Sequence, residues 1–115
     1  MSDYKNLDVW GKSISLVLEA YKITNNFPKE ERYALADQIK RAAVSIPSNI
    51  AEGASRNTRK EFIQFIYIAL GSASELETQI IIAEKLGYIE HKELLISDIS
   101  IIRKMLNALI SSLKR

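Results

Sequence analysis

Cysteine is absent from the sequence, and histidine occurs once, at His91. Without cysteine the chain can form no disulfide bond, no thiolate nucleophile and no cysteine-ligated zinc or iron–sulfur centre. One histidine is also too few for the di-iron sites of helical bundles, which take a Glu-x-x-His motif from each of two helices. A hydrolytic triad would have to use His91, but this residue follows Glu90 at a predicted helix start, where a capping or solvent-facing role is expected. We therefore expect a protein that is not an enzyme and has no metal or cofactor.

Proline, glycine and long apolar runs are also scarce. Two prolines and four glycines interrupt 115 residues, of which 47% are hydrophobic and 26% charged, as is usual for a globular domain. No segment reaches the roughly 20 uninterrupted apolar residues of a membrane span, and the first residues lack the basic and apolar regions of a signal peptide. The sequence therefore predicts one cytoplasmic domain over residues 1–115, rich in helix and independent of membranes.

The charge is unevenly distributed, although the net charge is only +2. Residues 40–60 carry five cations against the single acid Glu52, whereas residues 61–98 carry seven acids against two lysines. The five cations are Lys40, Arg41, Arg56, Arg59 and Lys60. On these counts alone, ordinary solvated helix surfaces are the favoured interpretation, and a basic face with an opposing acidic face is the alternative.

Apolar residues recur at steps of three and four in four segments of the chain, which is the period of amphipathic helices. The predicted helices run over residues 7–24, 28–53, 58–86 and 91–113. Pro28 is suited to the first turn of the second helix. Pro47 lies inside that helix, where proline produces either a kink or a full break. We favour the kink, because the apolar stripe continues in phase through Ile46 and Ile50.

The third helix has clear start and stop signals. Thr58 and Glu61 form a capping box, in which the threonine hydroxyl accepts from the third helical N–H and the carboxylate reaches back to the threonine backbone. Gly87 is the residue type that ends helices. Short connections between the predicted helices leave only antiparallel neighbours, so the expected fold is all-α, an antiparallel up-down-up-down four-helix bundle.

The third and fourth helices carry more apolar surface than one bundle core needs. The third has an inward stripe that includes Phe62, Phe65 and Ile66. The apolar residues off the main stripes are Ile63, Tyr67, Ile68, Leu70, Ile81 and Ile82 in the third helix and Ile96, Ile101 and Ile110 in the fourth. A monomer would expose them as a large patch. We therefore favour a homo-oligomer formed through these two helices over a deep monomer core.

Polar residues interrupt the apolar stretches of the second and third helices. Because buried polar groups must be hydrogen-bonded, we expect the two sets to meet across the bundle, with Arg41 paired to Glu75. The predicted network comprises Arg41, Ser45, Asn49, Glu52, Ser72 and Glu75, with Ser74 and Gln79 in the same polar segment. A network that fixes the register of the helices is the favoured interpretation, and a ligand or partner site is the alternative.

The segment from Gln38 to Gly53, QIKRAAVSIPSNIAEG, places serine, proline, asparagine, glutamate and glycine in an unusual order inside a helix. It closely resembles the four-helix-bundle protein family encoded by intervening sequences within bacterial 23S ribosomal RNA genes. Other matching segments are Leu7-Asp8-Val9-Trp10, Phe27-Pro28 with Glu31, Glu61-Phe62, Ala69-Leu70-Gly71-Ser72-Ala73 and Glu75-Leu76-Glu77-Thr78-Gln79. The resemblance covers residues 6–90, and the last helix matches only in pattern.

This resemblance implies an antiparallel four-helix bundle that assembles into a ring-shaped homopentamer. More distantly, the family is similar to the accessory protein of diversity-generating retroelements, a pentameric barrel that binds a reverse transcriptase and nucleic acid through basic residues. We therefore expect a non-enzymatic oligomeric accessory protein that binds RNA through Lys40, Arg41, Arg56, Arg59 and Lys60. Pairing with Glu75 would remove Arg41 from this set. The alternative function is a protein-interaction scaffold whose oligomer presents helix faces to a partner protein.

Overall fold

The structure is a computed structural model that describes residues 3–90 and 93–115. Its four helices are α1 (Asp8–Thr24), α2 (Leu35–Ala54), α3 (Arg59–Lys85) and α4 (Glu93–Lys114). Two 3₁₀ turns, Tyr4–Asn6 and Lys29–Glu31, precede α1 and α2. No strand occurs in these two ranges. The predicted all-α fold is confirmed.

The helices form an antiparallel up-down-up-down bundle of 45 × 23 × 20 Å. Helix α2 packs against α1 and α3, and α4 also packs against both, so α1 and α3 lie on one diagonal. The most extensive contact joins α2 and α3. We name each end of the bundle after a connection between helices. The α2–α3 end contains the connection from α2 to α3, together with the starts of α1 and α3 and the C-terminal ends of α2 and α4. The α1–α2 end is the opposite end.

The core is built from aliphatic side chains at helical spacing. All four helices contribute to it, because each has one apolar stripe that faces the bundle axis. Its largest fully buried apolar residues are Leu16, Ile39, Ile46, Ile50, Ile66, Leu76, Ile80, Ile99, Ile102 and Leu106. Ile110, which was predicted to lie off the main stripe of α4, is buried as well. That prediction is wrong, because the stripe of α4 is wide enough to include Ile102, Leu106 and Ile110.

Helix α3 begins and ends where its signals predict. The Thr58 hydroxyl accepts from the backbone N–H of Glu61 at 3.1 Å. The Glu61 carboxylate contacts the Thr58 hydroxyl, also at 3.1 Å, where the capping box predicted a bond to the Thr58 backbone. Gly87 follows the helix with φ of +84°, a conformation that side chains other than glycine rarely adopt.

Helix α2 starts seven residues later than predicted, at Leu35 in place of position 28. The 3₁₀ turn Lys29–Glu31 is a separate element, and Ala34 adopts φ −120° and ψ −107°, which lies outside the helical region. The helix then continues without interruption through Pro47, whose side chain is buried. A full break at Pro47 is therefore excluded.

Helix α3 is also notable for its overall apolarity. Within the described ranges it is the one helix long and apolar enough to cross a membrane, with a mean hydropathy of 1.2 over its most apolar window. A core helix of a bundle meets the same criterion, and α3 packs along both α2 and α4. Length and composition therefore do not establish a membrane span.

Candidate nucleic-acid interface

Basic residues from two helices and one turn meet at the α2–α3 end of the bundle. Residues 55–58 reverse the chain, so Arg56 lies close to the start of α3. Because α4 runs antiparallel to α3, its last residues reach the same end, where Arg59 Nη1 donates to the backbone oxygen of Arg115 at 3.0 Å. We call Arg56, Arg59, Lys60, Lys114 and Arg115 the basic end.

All five side chains of the basic end are exposed. Arg56 lies 3.4 Å from Glu52 and covers the ring of Phe65 at 4.8 Å, so its guanidinium is partly held in place. Lys114 Nζ lies 3.3 Å from the Tyr67 hydroxyl. Glu52 and Glu61 lie nearby, and Glu61 is engaged by the cap of α3. Asp8, the first residue of α1, belongs to the same end of the bundle. The five cations outnumber these three acids, which leaves an excess of positive charge at this end.

Two members of the basic end, Lys114 and Arg115, were not among the predicted binding residues. They follow the last apolar residues of α4, far from residues 40–60 in the sequence. The predicted antiparallel topology contained the signal needed to find them, because it places the C-terminal end of the fourth helix beside the start of the third.

Lys40 and Arg41 lie away from the basic end. They precede Ala54, the last residue of α2, by 14 and 13 residues, which corresponds to roughly 20 Å at about 1.5 Å per residue. Lys40 Nζ lies over the ring of Tyr21 at 5.1 Å, and Arg41 Nε pairs with Asp37 at 2.9 Å. The five residues predicted to bind nucleic acid are therefore two separate groups, of which Arg56, Arg59 and Lys60 are brought together.

The predicted polar network is smaller in the structure. The hydroxyl oxygens of Ser45 on α2 and Ser72 on α3 are 2.8 Å apart, and Asn49 Nδ2 donates to the Ser45 hydroxyl at 2.9 Å and to its backbone oxygen at 2.7 Å. Ser72 is buried. These three residues join α2 to α3. Gln79 is buried too, but its Oε1 has no hydrogen-bond partner.

The predicted pair of Arg41 and Glu75 does not form. Arg41 pairs with Asp37, one turn earlier on its own helix, and both Arg41 and Glu75 are exposed. Asp37 lies four residues before Arg41 on the same helix, where the two side chains are neighbours. The Arg41 guanidinium therefore pairs with Asp37 and not with Glu75 on α3. Glu52 likewise pairs with Arg56 at 3.4 Å and does not join the serine contact.

Helix α3 exposes apolar side chains on the surface that faces away from the bundle. Tyr67 and Ile68 are each 50% exposed, Ile82 is 44% exposed and Ile81 36%. We call these four residues the α3 outer face. On α4, Ile101 is exposed, whereas Ile63, Leu70 and Ile96 are partly buried against the core. The predicted surplus of apolar surface is therefore real for α3 and narrower for α4.

Within residues 3–90 and 93–115, the acidic residues form no cluster suited to metal binding. In the part of the chain that the structure describes, no group of three or more histidine, cysteine, aspartate or glutamate side chains could hold an ion. The prediction that His91 has a capping or solvent-facing role falls on a residue outside the described ranges. Polar chemistry in the described residues thus centres on the cations and the Ser45–Ser72 contact.

A family model for the 23S rRNA-intervening sequence protein matches residues 5–108. The chain belongs to this family. Among solved structures, it is similar to the crystal structure of a protein of unknown function from the S23 ribosomal protein family of Bacteroides thetaiotaomicron VPI-5482, with 27% identity and a TM-score of 0.82. That match covers 90% of this chain and 95% of the other. No curated protein matches the chain.

Proposed function

We propose that this family member is a non-enzymatic cytoplasmic protein that binds RNA as a homo-oligomer. The observation that carries the proposal is the basic end, where Arg56, Arg59, Lys60, Lys114 and Arg115 converge from parts of the chain that are distant in sequence. Exposed cations grouped on one surface bind phosphates and release the counterions condensed on a nucleic acid. A site built from arginine and lysine alone reads charge and shape, so structured RNA is a suitable ligand.

Oligomerisation would strengthen this weak site. The α3 outer face offers an apolar surface for self-association, and the family resemblance implies a pentamer. Several basic ends held in one ring would engage one RNA together, which raises the affinity without any new contact. In this function the α3 outer face holds the copies together, and the basic end of each copy binds the RNA.

Binding of a fluorescent RNA hairpin, measured by anisotropy over a range of salt concentrations, tests the proposal. The affinity should fall steeply with salt, because each phosphate contact adds about one unit to the log–log slope. The double variant Arg59→Gln, Lys60→Gln should bind more weakly with a slope that is smaller by about two. Lys85→Gln with Lys104→Gln is the matched control, since both lysines are exposed and lie outside the basic end. Failure to bind at low salt, or binding that salt does not change, would contradict the proposal.

A protein-interaction scaffold is the second candidate, and the α3 outer face favours it, because an exposed apolar surface also suits a partner protein. The two candidates respond differently to charge reversal. Changing Arg56, Arg59 and Lys60 to glutamate should abolish RNA binding under the first proposal. Under the second, a pull-down with this variant should recover the same partner as the unchanged protein.

A further inference from the structure

A cavity of about 290 Å³ lies at the α1–α2 end, between the last turn of α1, the 3₁₀ turn and the first turn of α2. Three cations, Lys29, Arg32 and Lys40, line it, and no carboxylate does. The cavity lies where the second helix was predicted to begin, at residue 28. The chain forms a separate 3₁₀ turn there, and α2 begins only at Leu35. Phe27 is buried and anchors the connection, so Lys29 and Arg32 remain beside Lys40 of α2.

The three cations are free of acidic partners within the described residues, where none of them has a carboxylate at ion-pair distance. Two acids near the cavity are engaged elsewhere. Glu31 accepts from the Tyr88 hydroxyl at 2.9 Å, and Asp37 pairs with Arg41 at 2.9 Å. Glu30 is exposed and does not line the cavity. Three cations around one concave space produce a positive potential that favours an anion there.

The helix ends beside the cavity are compatible with an anion. The carbonyl oxygens at the end of α1 would repel it, but they accept from the backbone N–H groups of Asn25, Asn26 and Phe27 at 3.1–3.4 Å. Ala36, in the first turn of α2, lines the cavity, and the first turn of a helix carries partial positive charge. The side-chain amide of Asn25, which also lines the cavity, can act as a hydrogen-bond donor.

Two exposed tyrosines lie next to two of these cations, outside the lining of the cavity. Tyr33 is 87% exposed and follows Arg32, and Tyr21 is 44% exposed with its ring beneath Lys40 Nζ. Exposed aromatic rings between cations are the arrangement that binds unpaired nucleotides, since each base has a face that can stack. A phosphoryl anion with an attached nucleoside would therefore find both a charged cavity and stacking surfaces.

We propose that the cavity bordered by Lys29, Arg32 and Lys40 binds a phosphoryl group, carried by a nucleotide or a nucleic acid strand. It lies at the opposite end of the bundle from the basic end, and it does not depend on the function proposed above.

Backbone amide NMR on the deuterated full chain tests this site. Inorganic phosphate should shift the amide resonances of Asn25, Arg32 and Ala36 more than those of the basic end. The variant Lys29→Gln, Arg32→Gln should weaken the phosphate affinity about tenfold, since two charge-assisted contacts are lost. Lys85→Gln with Lys104→Gln should change it less than about twofold. Absence of cavity shifts, or equal losses in the two variants, would overturn the proposal.

Uridine monophosphate and a short oligouridine identify the source of the phosphoryl group. Tighter binding of either, reduced by Tyr33→Ala to the level of inorganic phosphate, supports a nucleotide or nucleic acid ligand. Equal affinity for all three probes would contradict a nucleotide or nucleic acid ligand and would leave free phosphate as the ligand. The variant Arg59→Gln, Lys60→Gln should leave the cavity shifts unchanged, so failure of the basic end and failure of this cavity are read separately.

Discussion

At Gly53, α2 approaches α3 so closely that a side chain does not fit. A Cβ atom added there would lie 2.7 Å from the Cβ of Phe65 and 2.9 Å from Cδ1 of Phe62. Gly53 lies in the last turn of α2, and its absent side chain lets the two helices contact each other just before the turn that carries Arg56. The close approach therefore supports both the bundle and the position of the basic end.

Gly53→Ala should destabilise the protein by about 1–3 kcal/mol, because either Phe62 and Phe65 or the backbone must move. Urea denaturation measures the change. Gly11→Ala is the matched control, since Gly11 also lies in a helix but has open space where its Cβ would be. The control should gain up to about 1 kcal/mol from helix propensity. Equal stabilisation of both variants would show that the close contact does not constrain α2.

Tyr88 connects the turn after α3 to the 3₁₀ turn before α2. Its hydroxyl donates to Glu31 Oε2 at 2.9 Å. That bond, with smaller contributions from burial and from the charges of Glu31 and Glu30, raises the pKa of Tyr88 above 10.0. Because the pKa of Tyr88 is higher in the folded state than in the unfolded chain, the folded state retains the Tyr88 proton to a higher pH. The stabilisation that the Tyr88–Glu31 hydrogen bond provides is therefore complete below pH 10 and is lost as the pH rises further.

The free energy of unfolding should therefore fall as the pH rises from about 10 through the raised pKa of Tyr88. Tyr88→Phe should be less stable than the unchanged protein near neutral pH and should lose less stability over this alkaline range. Chemical denaturation at several pH values measures the difference. Tyr33→Phe, at an exposed site, should keep the full alkaline loss. An identical pH profile for the Tyr88 variant and the unchanged protein would refute the assignment.

At the scale of elements, the bounds of α3 followed from the sequence because its signals are local. Thr58, Glu61 and Gly87 act on the backbone next to them, and each behaves much as its residue type predicts. The start of α2 did not follow, because it depends on the burial of Phe27 and on the contact of Glu31 with Tyr88, which is 57 residues away. Pro28 alone could not reveal that interruption.

The residues of the basic end were also predicted only in part from the sequence. Arg56, Arg59 and Lys60 are close in sequence, so their convergence followed from a single turn. Arg41 was misplaced although the sequence contained the signal, because Asp37 lies four residues before it on the same helix, a spacing that favours an ion pair. Lys114 and Arg115 required the topology as well as the charge pattern.

The Ser45–Ser72 contact should couple α2 to α3 energetically. A double-mutant cycle with Ser45→Ala and Ser72→Ala should give an interaction energy of about 0.5–1.5 kcal/mol, the range of a net hydrogen bond. Ser45→Ala should cost more than Ser72→Ala, because Ser45 also accepts from Asn49. Ser74→Ala, at an exposed position on α3, should be close to neutral. Additive losses in the cycle would mean that the two serines act independently.

At the scale of the whole molecule, the α3 outer face is arranged symmetrically along its helix. Tyr67 and Ile68 form one apolar pair and Ile81 and Ile82 another, and the exposed residues between them are the small residues Gly71, Ser74 and Thr78 and the acid Glu75. Gly71 has open space around its Cα. Small residues between two apolar pairs let another helix approach closely, which favours self-association over exposure to water.

The double variant Ile68→Lys, Ile82→Lys should therefore convert an oligomer to a monomer. Two desolvated ammonium groups cannot be accommodated in an apolar contact, whereas on the exposed surface of a monomer they cost little. Light scattering gives the mass in solution. Leu18→Lys is the control, because Leu18 is 61% exposed on α1 and lies outside the α3 outer face. A monomeric unchanged protein, or an oligomer that survives in the double variant, would contradict this role of α3.

The same variant separates the contribution of assembly from that of a single basic end. A monomer of the Ile68→Lys, Ile82→Lys variant retains Arg56, Arg59 and Lys60, so each copy should still bind RNA. Because several linked sites bind one ligand with avidity, its affinity for a long structured RNA should fall by about a hundredfold or more. Its affinity for an RNA short enough to fill one site should stay within a few fold, with the same salt slope per site. Unchanged affinity for both RNAs would mean that one basic end suffices for binding, and equal losses for both would mean that the substitutions disturb the basic end itself.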